Sequence, residues 1–163
     1  MKKKLNILVT SCGGDIGQSI GKILIELNCV SFGLDISRHN AAQFVFDHFQ
    51  VGPKVSDENY LERIGEFVST NKIDVIIPVS EPELRFYTIN FTDKPVIKGA
   101  KVVMANHFSR EIGFNKTKTC LFLKENNLPN PVLYATDSTD FIFPLIAKPN
   151  TGAGSTNIFI VEN

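Results

Sequence analysis

Leu5-Asn6-Ile7-Leu8-Val9-Thr10-Ser11-Cys12-Gly13-Gly14-Asp15-Ile16-Gly17 decides the fold. A short apolar run stops at a glycine turn, and that suits a strand buried on both faces of a parallel sheet. Ile16, Ile20, Ile23, Leu24 and Leu27 then recur at helical spacing, which predicts a helix directly after the turn. Glycines between the two let the backbone bend sharply and let the helix approach the sheet.

The same alternation continues outward. Val30 to Ile36 reads as a second strand with Asp35 near its end, and Phe44 to Val51 holds a third, closed by Gly52-Pro53. Ser56 or Asp57 can cap a helix whose apolar face is Tyr60, Leu61, Ile64, Phe67 and Val68. Asp74 to Val79 is a fourth strand. Ser80 to about Phe91 is a helix that tolerates Pro82 in its first turn. Lys101 to Met104 is a fifth strand. Strands alternating with helices imply an α/β fold, with a parallel sheet, right-handed crossovers and helices on both faces. The expectation for residues 1–106 is a Rossmann-like open parallel sheet of about five strands, with Thr10, Asp35 and Ser80 on one edge.

The rhythm changes afterwards. Ser109 to Asn127 suggests a short helix and then a longer one from about Asn115, anchored by Leu121 and Leu128. Leu128-Pro129-Asn130-Pro131 is a stop and a stiff linker. Val132 to Ala135 is a candidate strand. Phe143 to Lys148 and Asn157 to Val161 read as a hairpin of a separate sheet, joined by the glycine-rich loop Pro149 to Thr156. Residues 107–163 therefore read as the beginning of an α+β domain. Two strands alone are marginal in water, so the chain is expected to be truncated.

Composition narrows the function classes. The 163 residues carry 17 basic and 17 acidic side chains, so no basic excess points to nucleic acid. No run approaches the ~20 apolar residues of a membrane span. Lys2, Lys3 and Lys4 precede an apolar run too short for a secretory signal. Cys12, Cys29 and Cys120 form no C-x-x-C pair, and an odd count without a signal predicts reduced thiols in the cytoplasm. His39, His48 and His107 share no ligand spacing with them, so no metal site is expected. The 13 Phe residues, with no Trp, are read as core.

Two stretches carry candidate chemistry. In the first glycine turn, Gly13 and Gly14 are candidates for a small substrate or effector, since amides at a helix start can hold an anion. Asp35 stands about where a dinucleotide fold places its ribose-binding acid. An NAD(P)-binding Rossmann module is therefore one alternative, and a non-catalytic nucleotide- or effector-binding domain is another. Against the first, Cys12 stands where the leading glycine of G-x-G-x-x-G belongs. Tyr60, Tyr87 and Tyr134 are followed four residues later by Ile64, Phe91 and Ser138, never by Lys. Glu81 and Glu83 are candidates for a ligand cleft beyond the fourth strand, or simply acids favoured at a helix N-terminus.

The second stretch is Phe143-Pro144-Leu145-Ile146-Ala147-Lys148-Pro149-Asn150-Thr151-Gly152-Ala153-Gly154-Ser155. A strand delivers Lys148 to a loop with two glycines and the hydroxyls of Thr151, Ser155 and Thr156. Such a loop can turn amides and hydroxyls toward phosphate, beside a compact positive charge. No Gly-Lys-Ser/Thr ends it, so it is not a Walker loop.

F-P-x-I-x-K-P-x-x-G-x-G-S resembles the first nucleotide-binding strand and phosphate loop of ATP-grasp enzymes. Asn115-Lys116-Thr117-Lys118-Thr119 resembles that family's earlier lysine at the head of a helix. The order of the remaining motifs agrees over the whole chain. Within the superfamily the chain is similar to ligases named after the carbamoyl-phosphate synthase large subunit, a group that includes pyrrolysine-biosynthesis-like ligases. The resemblance implies that ATP phosphorylates a carboxylate and a nucleophile such as an amine displaces the phosphate. It implies that Lys116 and Lys148 reach the phosphates, with Gly152, Gly154 and Ser155 closing over them. The family's adenine hinge, its magnesium-binding Glu and Asn and its arginine fall beyond Asn163. No catalytic residue is therefore assigned, and Mg²⁺ is expected only in a complete parent enzyme. The implied partners are a small-molecule carboxylate and a nucleophile in that parent, with a homodimer as the assembly to test. The 163-residue chain alone is expected to bind ATP weakly and not to turn it over.

Overall fold

Alternation of side chains along the first strand builds two cores at once. Leu8 points to one face of the sheet, Ile7 and Val9 to the other, and all three are buried. The computed structural model describes residues 3–91, 95–152 and 156–163, and it divides into two units at Asn106 and His107. Each unit is considered by itself.

The first unit contains the strands β1 (Asn6–Thr10), β2 (Val30–Asp35), β3 (His48–Val51), β4 (Val75–Pro78), β5 (Val96–Ile97) and β6 (Ala100–Val102). Their order is β3-β2-β1-β4-β6-β5, with every pairing parallel except β5 with β6. The helices are α1 (Asp15–Glu26), α2 (Tyr60–Asn71) and α3 (Glu81–Asn90). This is the Rossmann-like α/β sheet expected. The largest apolar cluster joins Leu8, Leu34 and Ile76 to Tyr60 and Ile64 of α2 and Tyr87 of α3. The second joins Val9 and Phe46 to Leu24 of α1.

Three details differ from the sequence expectation. Of the isoleucines in helix α1 only Ile20 packs against the core, and it is half-buried. Ile16, Ile23 and Leu27 are exposed, while Gly17, Gly21 and Leu24 are buried. A Cβ at Gly17 would stand 2.5 Å from Cys12 Cα, so the helix lies too close to the chain leaving β1 for any side chain there. The third strand starts at His48, because Ala41–Phe44 form a 3₁₀ turn capped by the Asn40 side chain, which accepts from Ala42 N at 3.0 Å. The edge strand β5 was not anticipated. It has only two residues, and its turn uses Lys98 and Gly99 at φ 47° and 92°, the left-handed pair that tight hairpins favour.

The second unit contains α4 (His107–Gly113), α5 (Lys116–Glu125) and an antiparallel pair, β7 (Leu145–Ala147) with β8 (Phe159–Val161). The separate hairpin is as expected. Among its described residues Arg110 alone is buried. Leu121 and Leu128 are exposed rather than anchors of α5, whose Phe122 instead meets Phe108 edge-on at 6.2 Å. No strand forms over residues 132–135. Pro129 and Pro131 precede that segment, and Val132 and Leu133 remain exposed with no strand beside them. Tyr134 meets Phe141 edge-on at 5.3 Å, and its hydroxyl accepts from Ile142 N at 3.2 Å.

Candidate functional site

In the first unit the chain runs outward from β1 to β3 and returns on the other side at β4. The carboxyl ends of β1 and β4 therefore flank the topological switch point, where open sheets of this kind take ligands. Glu83 is buried there. Its Oε1 accepts from Tyr60 OH at 2.7 Å, and its Oε2 accepts from Ser11 Oγ at 2.6 Å and from Ser80 Oγ at 2.8 Å. Ser80 also caps α3. One carboxylate thus fastens the loop after β1 and the first turns of α2 and α3. Burial, and then the charge of Glu83, raises the Tyr60 phenol far above its ordinary range. Burial above all pushes the Tyr87 phenol up to about 12.

The glycine turn is filled in the same way. Gly13 N donates to Asp35 Oδ2 at 2.7 Å, and Ser37 N donates to Asp35 Oδ1 at 3.0 Å. Both oxygens of Asp35 are held by main-chain amides, which leaves the acid poorly placed to take a ribose. Burial, and then the Asp35 charge, pushes the Cys12 thiol up to about 12, which favours the protonated thiol at neutral pH. Gly14 stands at the cap just before α1, is exposed and has no atom near its missing Cβ. Glu81 pairs with Arg85 one turn along, at 2.7 Å. The four candidates of this unit are therefore not one constellation. Glu83 belongs to the hydroxyl network, Gly13 to the Asp35 contact, and Gly14 and Glu81 stand apart. The crevice lined by Thr10, Ser11, Asp35 and Glu83 holds about 10 Å³, scarcely room for a water molecule.

In the second unit Lys116 and Lys148 come together. They line one cavity of about 240 Å³ with Pro149, Thr151, Gly152, Thr156 and Ile158. Gly152 has φ 108°, a backbone that side-chain-bearing residues rarely adopt. Its carbonyl accepts from Lys116 Nζ at 3.0 Å. Lys148 is exposed. Gly154 and Ser155 lie outside the described residues. Sequence reasoning passed over Asn150, whose carbonyl accepts from Lys116 N at 3.0 Å and whose Oδ1 accepts from Thr117 N at 2.9 Å. Ser11 and Tyr60 were passed over as polar partners too; Tyr60 reads as an ordinary member of an apolar helix face.

Two lysines, two threonines and a glycine line about 240 Å³, a lining whose charge favours an anion and whose volume is less than the ~300 Å³ at which sites for whole ligands begin. A larger depression of about 950 Å³ runs along α2 beside the β5–β6 turn. Among the described residues its charged groups are Glu62, Glu66 and Lys98, a balance that does not favour an anion. Among the described residues no group of three or more His, Cys, Asp and Glu could hold a metal ion, and no helix is long and apolar enough to cross a membrane.

Comparison with known proteins agrees with the fold. The family model described as PylC-like, N-terminal domain matches residues 7–95, more than half of the chain. Similar solved structures include N5-carboxyaminoimidazole ribonucleotide synthetase from Thermotoga maritima (22% identity, TM-score 0.65, covering 99% of this chain and 41% of that one). An L-amino acid ligase from Bacillus licheniformis matches at 18% identity and TM-score 0.66, covering 100% of this chain and 40% of that one. The biotin carboxylase domain of Hydrogenobacter thermophilus 2-oxoglutarate carboxylase matches at 15% identity and TM-score 0.67, covering 99% and 38%. At such identities the likeness is one of fold, and the chain spans about two-fifths of the length of each of these structures. No curated protein sequence gives a significant match.

Proposed function

The chain belongs to the PylC-like N-terminal domain family, and from that premise we propose that it is the N-terminal part of an ATP-dependent ligase of the carbamoyl-phosphate synthase large-subunit-like kind, joining a carboxylate to an amine or related nucleophile. Residues 1–106 are then the Rossmann-like domain that precedes the ATP-grasp domain. Residues 107–163 are the linker helices and first hairpin of the ATP-grasp domain. In support, the second unit buries only Arg110 among its described residues, whereas a unit that folds alone needs an apolar core of its own.

The observation that carries the nucleotide reading is the shared cavity of Lys116, Lys148 and Gly152. ATP would supply the phosphoryl group. The two lysines would neutralise phosphate charge and orient the chain of phosphates, and the Gly152 backbone would let the loop lie against it. Gly154 and Ser155 join this set by resemblance. The described carboxylates form no cluster fit for Mg²⁺, so no step is assigned to a metal here. The reading brings with it a small-molecule carboxylate and a nucleophile as substrates of the parent enzyme, a homodimer and a cytoplasmic setting. One structural neighbour was crystallised as a dimer with MgADP.

The test is an ATP titration of the ¹⁵N-labelled 163-residue chain beside Lys148→Ala, with a phosphate-release assay. The expected result is a saturable response of the amides near Lys116, Lys148 and Gly152, with Kd about 1 mM or weaker, corresponding to about 4 kcal/mol. Lys148→Ala should weaken it, and no phosphate should be released. An equal response in the variant would refute the half-site, and turnover by this chain would refute its incompleteness.

A further inference from the structure

We propose that Asn150 is a positioning residue that clamps the loop after β7 onto the head of α5 and so holds Lys116 and Lys148 on one cavity. The amides at the start of a helix need partners from outside the helical ladder. In α5 all four are taken. Lys116 N donates to the Asn150 carbonyl at 3.0 Å and Thr117 N to Asn150 Oδ1 at 2.9 Å. Lys118 N donates to Asn115 Oδ1 at 2.8 Å, and Asn115 N, at the cap itself, to the Ile112 carbonyl at 3.1 Å. A single residue 33 positions from Thr117 therefore supplies half of the cap.

The placement has a chemical consequence. Asn150 stands two residues after Lys148 and two before Gly152, whose carbonyl accepts from the Lys116 ammonium at 3.0 Å. Fastening Asn150 to the backbone of Lys116 and Thr117 brings both lysines to the cavity lining. It also withdraws the α5 amides from any ligand. A nucleoside polyphosphate would thus be held by the two ammonium groups and the loop, and not by the helix N-terminus. That consequence rests on the nucleotide reading above; the clamp itself does not.

Asn150→Ala removes Oδ1, whereas Asn150→Asp keeps an acceptor there, suits a helix N-terminus and adds a negative charge beside the lysines. The experiment is amide hydrogen exchange and ATP titration by NMR on the full chain and both variants. In Asn150→Ala, exchange at Thr117 should quicken about five- to tenfold, the scale of a lost cap. In Asn150→Asp that protection should return while the response to ATP weakens. Asn150→Ala should also uncouple the lysines, leaving the ATP response near Lys148 and losing it near Lys116. Unprotected Thr117 in the parent, unchanged exchange in Asn150→Ala, no return in Asn150→Asp or a response lost equally at both lysines would each overturn the proposal. A parent chain that shows the clamp but no response to ATP refutes the nucleotide reading and leaves the clamp standing.

Discussion

Replacing Glu83 or Tyr60 tests whether one buried carboxylate fastens the strand ends of the first unit. Among the described residues its side-chain hydrogen bonds come from hydroxyls alone: Tyr60 on Oε1, Ser11 and Ser80 on Oε2. A bond to a charged group contributes about 1.5–3 kcal/mol and a neutral one about 0.5–1.5. Glu83→Gln converts three bonds of the first kind to the second and turns one acceptor into a donor. A difference of about 1 kcal/mol per bond sums to about 3, partly offset because an amide costs less to bury than a carboxylate. The expected loss is about 1–3 kcal/mol of unfolding free energy. Tyr60→Phe keeps the ring that meets Phe86 edge-on at 5.1 Å. It strips one oxygen of its donor, for a loss of about 1–3 kcal/mol. In Glu83→Gln the Tyr60 bond is already reduced to a neutral one, so the double variant should cost about 1 kcal/mol less than the sum. Urea unfolding of the whole chain at neutral pH, followed by far-ultraviolet circular dichroism, measures all three. A Tyr60→Phe variant within about 0.5 kcal/mol of the parent, or strict additivity, would refute the network.

Three further outcomes are expected. Gly17→Ala sets a Cβ 2.5 Å from the Cys12 backbone, whereas at Gly21 the nearest atoms are the Val45 side chain at 2.7 Å and the Phe46 ring at 2.9 Å. Side chains can turn and a backbone cannot, so Gly17→Ala should lose about 2–3 kcal/mol and Gly21→Ala less; thermal melts in the reverse order would contradict the packing of α1. Cys12 should resist iodoacetamide at neutral pH until the chain is unfolded, while the less buried Cys29 and Cys120 react first; mass spectrometry of the labelled peptides decides it. The Ser31 amide and then the Ser31 hydroxyl hold the Asp47 carboxyl below its ordinary 3.8. A depressed acid stabilises above its unfolded pKa, and the gain disappears as pH falls through the folded value. Asp47→Asn should therefore flatten the acid limb of stability against pH below about 4, and an unchanged limb would show that Asp47 contributes nothing.

The parallel sheet was legible because its signal is redundant: each buried strand is an apolar run, and each is separated from the next by a helical repeat. Periodicity failed where packing decides instead. Ile16 and Ile23 fit a helix face better than Gly17 and Gly21, yet the glycines face the sheet, because approach distance outweighed apolar area. Edge strand β5 has two residues, too few for any period. In the second unit Lys116 and Lys148 could be paired through a motif, but Asn150 could not. Its role comes from a contact between residues 33 apart, and nothing near it in the chain marks it. Ser11 and Tyr60 escaped for the same reason, since their partner is a glutamate more than 20 residues away in each case.

The two glycine-rich turns look alike as sequence and differ in the charge that the fold brings to them. At the first, the Gly13 amide already faces a carboxylate, Asp35, and the neighbouring Ser11 hydroxyl faces another, Glu83. An external anion would have to displace an acid tethered within hydrogen-bond reach and would meet the field of a second. At the second, the cavity lining supplies two ammonium groups and no carboxylate. The sign of the nearest side-chain charge therefore separates them: the first glycine turn is a joint of the sheet, and the second presents two ammonium groups, as the proposed nucleotide reading requires. A formal net charge of zero conceals this division, because it sums over acids and bases that the fold sorts to different turns.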